Sequence, residues 1–125
     1  MRVLVVEDEP AMRNLAAKML ARLGCKVITA ADGLEAVQIM REHEGEIELV
    51  LLDLTMPGMN GWETLAALRE LRADIAVVLA SGYDEAHVME RRRAELPQAL
   101  LHKPYGMREL QEAIGRAMIP TTVRR

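Results

Sequence analysis

Five polar residues stand at or just after the ends of short apolar runs. Glu7 and Asp8 follow Val3 to Val6, and Asp53 follows Leu49 to Leu52. Ser81 follows Ala76 to Ala80, and Lys103 follows Ala99 to His102. Unbroken apolar runs of this length read as strands buried on both faces, which places them in a parallel sheet covered by helices. Strands that run parallel end on one edge, so all five side chains converge there. In open α/β sheets, ligands bind in the crevice outside the strands' carboxyl ends. Asp53 is therefore expected to be presented to solvent.

The residue types narrow the chemistry. Two like charges about 4 Å apart, at an effective dielectric of about 20, cost about 4 kcal/mol. Glu7, Asp8 and Asp53 together thus require a proton or a cation. Oxygen ligands without His or Cys nearby favour Mg²⁺, which takes one or two carboxylates along with phosphate oxygens. Lys103 supplies a point charge suited to a phosphoryl oxygen, and Ser81 a hydroxyl that can donate to another. Such a set stabilises charge on a phosphoryl group and makes Asp53 a nucleophile that would form an aspartyl phosphate. Each residue alone has a plainer reading. A strand-end Asp caps helices, an acidic run is a solvated loop, Ser81-Gly82 is a turn, and Lys103-Pro104 is a loop or a cis bond. Their joint order on alternating strands favours the chemical reading.

The elements that must position these residues follow in order. After the first strand, Pro10 suits the first turn of a helix. Met12, Leu15, Ala16, Met19, Leu20 and Leu23 give that helix one apolar stripe, and Gly24 closes it. Lys26 to Ala30 is the second strand. Asp32 and Glu35 have capping-box spacing and open a helix to about Glu42, which Gly45 breaks. The third strand ends at Asp53, and Pro57-Gly58 and Asn60-Gly61 then turn the chain. Asn60 and Glu63 repeat the capping spacing, and Trp62, Leu65 and Leu68 form the third helix's buried edge. Asp84 to Leu96 reads as a weakly amphipathic fourth helix with Val88, Met89 and Leu96 to bury, stopped by Pro97. The last helix is expected to bury Met107, Leu110, Ala113, Ile114, Ala117 and Met118. Five strands alternating with five helices imply right-handed crossovers and helices on both faces of the sheet. The domain is expected over residues 1–119, with 120–125 a short basic tail.

Composition excludes several classes. A chain of 125 residues with 50% hydrophobic and 28% charged residues is one ordinary folded domain. Its net charge of −3 offers no basic surface for direct nucleic-acid binding. There is no Phe, one Trp and two Tyr against nine Met, so the core must be aliphatic. Cys25, the single cysteine, fits a small apolar position in a reducing compartment. No run approaches the roughly 20 apolar residues of a membrane span, and Met1 leads straight into a strand, so a cytoplasmic, membrane-free protein is expected.

The motifs VLVVEDE, LVLLDLTMPGMNG, VVLASGY and LHKPY resemble those of response-regulator receiver (CheY-like) domains of two-component signalling, over about residues 2 to 118. The resemblance implies a flavodoxin-like, doubly wound (βα)5 fold with a five-stranded parallel sheet of order 2-1-3-4-5. It implies that Asp53 accepts phosphate from the phosphohistidine of a sensor histidine kinase or histidine phosphotransfer domain. Asp8 would be a direct Mg²⁺ ligand, Glu7 would act through water, and the Thr55 backbone carbonyl and Asp53 would complete the set. Ser81 and Lys103 would contact the phosphoryl group and carry the switch. The face of the fourth helix, fifth strand and fifth helix would meet an output partner, with a phosphorylation-dependent dimer as a further reading. Such a domain is no enzyme in the usual sense, although it assists its own phosphorylation and dephosphorylation.

Leu100 stands where the family often carries an aromatic, so an aromatic rotamer switch is not expected. Thr55 and Tyr83 occupy positions that tune acyl-phosphate lifetime in the family. Arg91 to Arg93 are better read as a solvated face than as an output surface. His43, His87 and His102 show no ligand spacing. The SGYDE and KPY wording resembles receivers attached to hybrid sensor histidine kinases, so an excised domain stands beside a stand-alone regulator. Three other readings fit less well. An aspartyl-nucleophile phosphatase would carry a second acid where Thr55 stands. A flavin carrier would be repelled by Glu7-Asp8-Glu9. A docking-only pseudo-receiver would not need Asp8, Asp53 and Lys103.

Overall fold

The computed structural model describes residues 1–43, 45–54, 59–82 and 97–119. Its elements are β1 (Arg2–Val6), α1 (Pro10–Arg22), β2 (Lys26–Ala30), α2 (Gly33–Glu42), β3 (Leu49–Asp53), α3 (Gly61–Leu71), β4 (Ala76–Ser81), β5 (Ala99–His102) and a C-terminal helix α4 (Met107–Ala117). The expected fourth helix over 84–96 lies outside the described residues. So do Thr55, Pro57-Gly58, Tyr83, His87, Arg91 to Arg93 and the tail 120–125.

The five strands form one parallel sheet in the order β2-β1-β3-β4-β5. This is the flavodoxin-like order 2-1-3-4-5 that the motifs imply. The order reverses beside β1, so β1 and β3 lie side by side where their neighbours depart in opposite directions. That switch point opens a crevice at the strands' carboxyl ends.

Side chains alternate across the sheet, and both faces are dry. Leu4, Val6, Val50, Leu52, Val77 and Leu79 join Met40 of α2 and Trp62, Leu65 and Leu68 of α3 in one core. Val3, Val5, Leu49, Leu51, Val78 and Ala80 join Ala16 and Leu20 of α1 and Leu110 and Ala113 of α4 in the other. Every residue of β3 and β4 is buried. Each fully buried Leu or Val contributes roughly 1.5–3 kcal/mol, so β1, β3 and β4, which carry site residues, are firmly held.

Two helix starts tie their loops down. The Asn60 side chain accepts from Glu63 N–H at 2.9 Å, and Glu63 accepts from Asn60 N–H at 2.9 Å, a complete capping box. Asp32 accepts from Glu35 N–H at 2.8 Å, but Glu35 reaches back to the N–H of Ala31, at 2.7 Å, rather than to Asp32. Gly24 adopts φ +89, the left-handed turn that closes α1 where L side chains are strained. Leu15 and Met118, both expected to be buried, are exposed. Leu15 is 50% exposed because it lies at the edge of the α1 stripe, with Ala16, Met19 and Leu20 facing the sheet. Met118 is 37% exposed because α4 ends at Ala117. The other expected helix and strand limits within the described residues hold to within a residue.

Candidate functional site

β1 and β3 deliver their acids side by side. Their register pairs Val6 with Leu52, so Glu7 and Asp53 are the next residues on adjacent strands. The carboxylate oxygens of Glu7, Asp8 and Asp53 include one from each residue within 4.8 Å of the others. Asp53 and Glu7 are buried, while Asp8 is partly exposed.

β5 brings the counter-charge. Lys103 Nζ donates to Asp53 Oδ1 at 2.9 Å and to Glu7 Oε1 at 3.1 Å. The lysine backbone is fixed as well, because Lys103 N–H donates to the Ser81 carbonyl at 2.7 Å, continuing the β4–β5 ladder. The Lys103-Pro104 bond is cis, as Pro104 allowed. Ser81 is buried at the last residue of β4. Glu7, Asp8, Asp53, Ser81 and Lys103 thus lie on one sheet edge. Thr55, the sixth expected site residue, lies outside the described residues.

The expectation of a solvent-presented Asp53 is corrected. Its residue exposure is only 5%. A strand end does face the crevice, but Lys103, arriving from a remote part of the chain, seals one carboxylate oxygen in an ion pair. The lysine therefore bonds Asp53 directly.

The electrostatics show a site short of positive charge. Burial, followed by the neighbouring Asp53 charge, raises the Glu7 pKa, and the Lys103 and Glu9 hydrogen bonds offset this only in part. Burial also disfavours the Lys103 ammonium, yet the hydrogen bond and charge of Asp53, followed by those of Glu7, outweigh it and raise its pKa. Among the described residues one lysine bonds two of the three carboxyl groups, so a hard divalent cation suits this oxygen set. Glu7, Asp8 and Asp53 are the residues that could hold Mg²⁺.

The loop bearing the acids is clamped. Glu7 N–H donates to the Ala30 carbonyl at 3.1 Å, and Glu9 N–H donates to Glu7 Oε2 at 3.2 Å. Arg13 Nη1 donates to the Glu7 carbonyl at 2.9 Å. The sequence reading missed Arg13. Its signal was a cation near the positive N-terminal end of a helix, where the helix dipole disfavours it unless it has another partner. Behind Asp53, Leu54 N–H donates to the Ala80 carbonyl and Gly61 N–H to the Leu54 carbonyl, both at 2.8 Å. A Cβ on Gly61 would stand 2.5 Å from Leu54 Cα and 2.8 Å from the Asp53 carbonyl oxygen. Only glycine lets α3 begin this close to the functional strand.

Comparison with known proteins gives this geometry a family. The response regulator receiver domain family matches residues 3–115. The chain is 37% identical over 112 residues to sensor kinase CckA of Brucella abortus, covering 90% of this chain but 12% of that protein. It is 31% identical over 117 residues to sporulation initiation phosphotransferase F of Bacillus subtilis, covering 92% of this chain and 91% of that protein. Among solved structures, the response regulator TrrA of Thermotoga maritima in complex with Mg²⁺-BeF superposes with a TM-score of 0.81 and 30% identity, covering 94% of this chain and 98% of that one. A family match over nearly the whole length, on a sheet edge carrying two acids and a lysine in contact, leads to one conclusion: the chain belongs to the response regulator receiver domain family of two-component signalling.

Proposed function

We propose that Asp53 is the phosphoacceptor, taking a phosphoryl group from the phosphohistidine of a sensor histidine kinase or a histidine phosphotransfer domain. Receivers are signalling modules of this kind rather than enzymes in the usual sense, and they bind Mg²⁺ at an acidic pocket. The observation that carries the reading is the Lys103 ammonium bridging Asp53 and Glu7 with Asp8 beside them.

In the step, a carboxylate oxygen of Asp53 bonds to phosphorus while the P–N bond to the donor imidazole breaks. The electron pair leaves with the imidazole, which takes up a proton. Asp8, Asp53 and the Thr55 carbonyl would ligate Mg²⁺ directly, with Glu7 acting through water; when bound, the ion neutralises charge on the phosphoryl oxygens. Lys103 moves its hydrogen bond from Asp53 to a phosphoryl oxygen, which keeps the new charge paired. Ser81 offers its hydroxyl to a second oxygen. The added charge of roughly −1.5 to −2 then reorders the loops after β3 and β4. The face made by β5, α4 and the segment 84–96 would carry the change to an output partner.

The domain spans residues 1–119, followed by the tail 120–125, and works in the cytoplasm. Both settings occur among relatives, since the chain spans 12% of the sensor kinase and 91% of the sporulation phosphotransferase. The higher identity to the sensor kinase favours a receiver belonging to a hybrid histidine kinase.

The test is incubation with a small acyl phosphate and Mg²⁺, followed by intact mass. One added phosphoryl group is expected on the native chain, none with a chelator and none on Asp53→Asn. No adduct on the native chain, or an undiminished one on Asp53→Asn, would reject the reading.

A further inference from the structure

Arg13 makes contacts that neither the phosphoryl chemistry nor the packing of α1 requires. Its Nη1 donates to the Glu7 carbonyl at 2.9 Å and, with a longer contact of 3.4 Å, to the Asp8 carbonyl. These are the backbone oxygens of the two acidic residues that follow β1. The same residue's N–H donates to the Glu9 carbonyl at 2.8 Å, the first hydrogen bond of α1. One residue therefore holds the carbonyls of all three members of Glu7-Asp8-Glu9. The Glu9 side chain makes no cap bond at this end of α1.

From this geometry we infer that Arg13 is a positioning residue for the metal-binding acids. It fixes the backbone of the loop after β1 so that the Glu7 and Asp8 carboxylates point together at Asp53. The inference rests on the reading of Glu7, Asp8 and Asp53 as a Mg²⁺ site. Asp8 needs such a clamp most. Glu7 is buried and bonded through its side chain to Lys103 and Glu9, whereas Asp8 is partly exposed. Its carboxylate starts from a backbone that Arg13 contacts at 3.4 Å through the Asp8 carbonyl and holds at 2.9 Å through the Glu7 carbonyl. Hydrogen-bond partners that orient metal ligands from behind commonly matter about 10–100-fold for metal affinity.

Electrostatics alone forecasts the opposite sign, which makes the idea decidable. Arg13 is a cation beside a cation site. If its charge were what mattered, removing it would tighten Mg²⁺ binding. If its grip on the carbonyls matters more, removing it loosens Mg²⁺ binding because the carboxylates lose their common aim.

The experiment measures Mg²⁺ affinity by calorimetry on the full chain and on the Arg13→Met and Arg13→Lys variants. Thermal denaturation in Mg²⁺-free buffer is recorded alongside. The expected result is about tenfold weaker Mg²⁺ binding for Arg13→Met, with Arg13→Lys in between because an ammonium can still reach one carbonyl. Phosphorylation by a small acyl phosphate should need correspondingly more Mg²⁺ and reach the native rate at saturation. Unchanged or tighter Mg²⁺ binding by Arg13→Met overturns the inference, including the case where only its melting temperature falls, since a purely structural role would do that. Failure of the native chain to bind Mg²⁺ instead rejects the metal site itself.

Discussion

Glu7 is the residue at which the site's two demands collide. Its carboxylate is needed beside the cation, yet burial and Asp53 raise its pKa. A group whose folded-state pKa is raised stabilises the fold while it is protonated, below its ordinary value, and loses that contribution as pH rises through the raised one. Without Mg²⁺, Glu7→Gln should therefore stabilise the chain at neutral pH and change little in mild acid. Chemical denaturation at the two pH values, metal-free, checks this; a destabilised variant at neutral pH would mean that the Lys103 bond outweighs the repulsion. Lys103 has the same sign in a different window. Its contribution is complete below its ordinary value of 10.5 and is lost only as pH rises through the raised value, so the Lys103–Asp53 pair is intact throughout the neutral range. Much of this was legible in the sequence, because acids and a lysine at parallel strand ends have to meet. What the sequence did not reveal is that Lys103 already closes over Asp53. That contact depends on how far β5 extends past β4, which no local pattern states.

At the scale of elements, α3 is anchored to the functional strand by two neighbouring residues that act differently. Asn60 caps the helix, and its change to Ala should cost about 1 kcal/mol while leaving Asp53 in place. Gly61 lies against the backbone of Asp53 and Leu54, and its change to Ala should cost about 1–3 kcal/mol by overpacking. Because the clash is with backbone, Gly61→Ala should also slow phosphorylation, whereas Asn60→Ala should not. Comparing denaturation midpoints with phosphorylation rates for the two variants checks the distinction; equal rates would show that β3 does not feel α3. The strands were the most legible elements, since short dry runs such as Leu49 to Leu52, followed closely by turn residues, read as buried strands. Helix faces were less so. The spacing of Leu15 fits the α1 stripe, yet α1 turns its 16, 19 and 20 positions to the sheet and leaves Leu15 outside. The Asp32 cap was legible, but the return bond of Glu35 to Ala31 was not, because it depends on how the chain enters the helix.

At the scale of the whole molecule, the described residues gather three carboxyl groups, two of them bonded to Lys103, at one end of a dry sheet. Mg²⁺ should then stabilise the native chain by about 2.7 kcal/mol at a concentration of about 100 Kd, and an Asp8→Asn variant far less. Thermal denaturation with and without Mg²⁺ checks this, and equal shifts for both proteins would place the ion elsewhere. The sheet order was legible only through the family resemblance. Alternating strands and helices require a parallel sheet, but they do not by themselves put β1 between β2 and β3.

The signalling chemistry turns on which residue owns the acceptor oxygen, and chemical mapping identifies that residue. Borohydride reduces an aspartyl phosphate to homoserine, so the phosphorylated chain should yield, on peptide mass analysis, homoserine at position 53 and at no other acid. Homoserine at position 7, 8 or 9 with Asp53 unmodified, or none after phosphate has been incorporated, would contradict it.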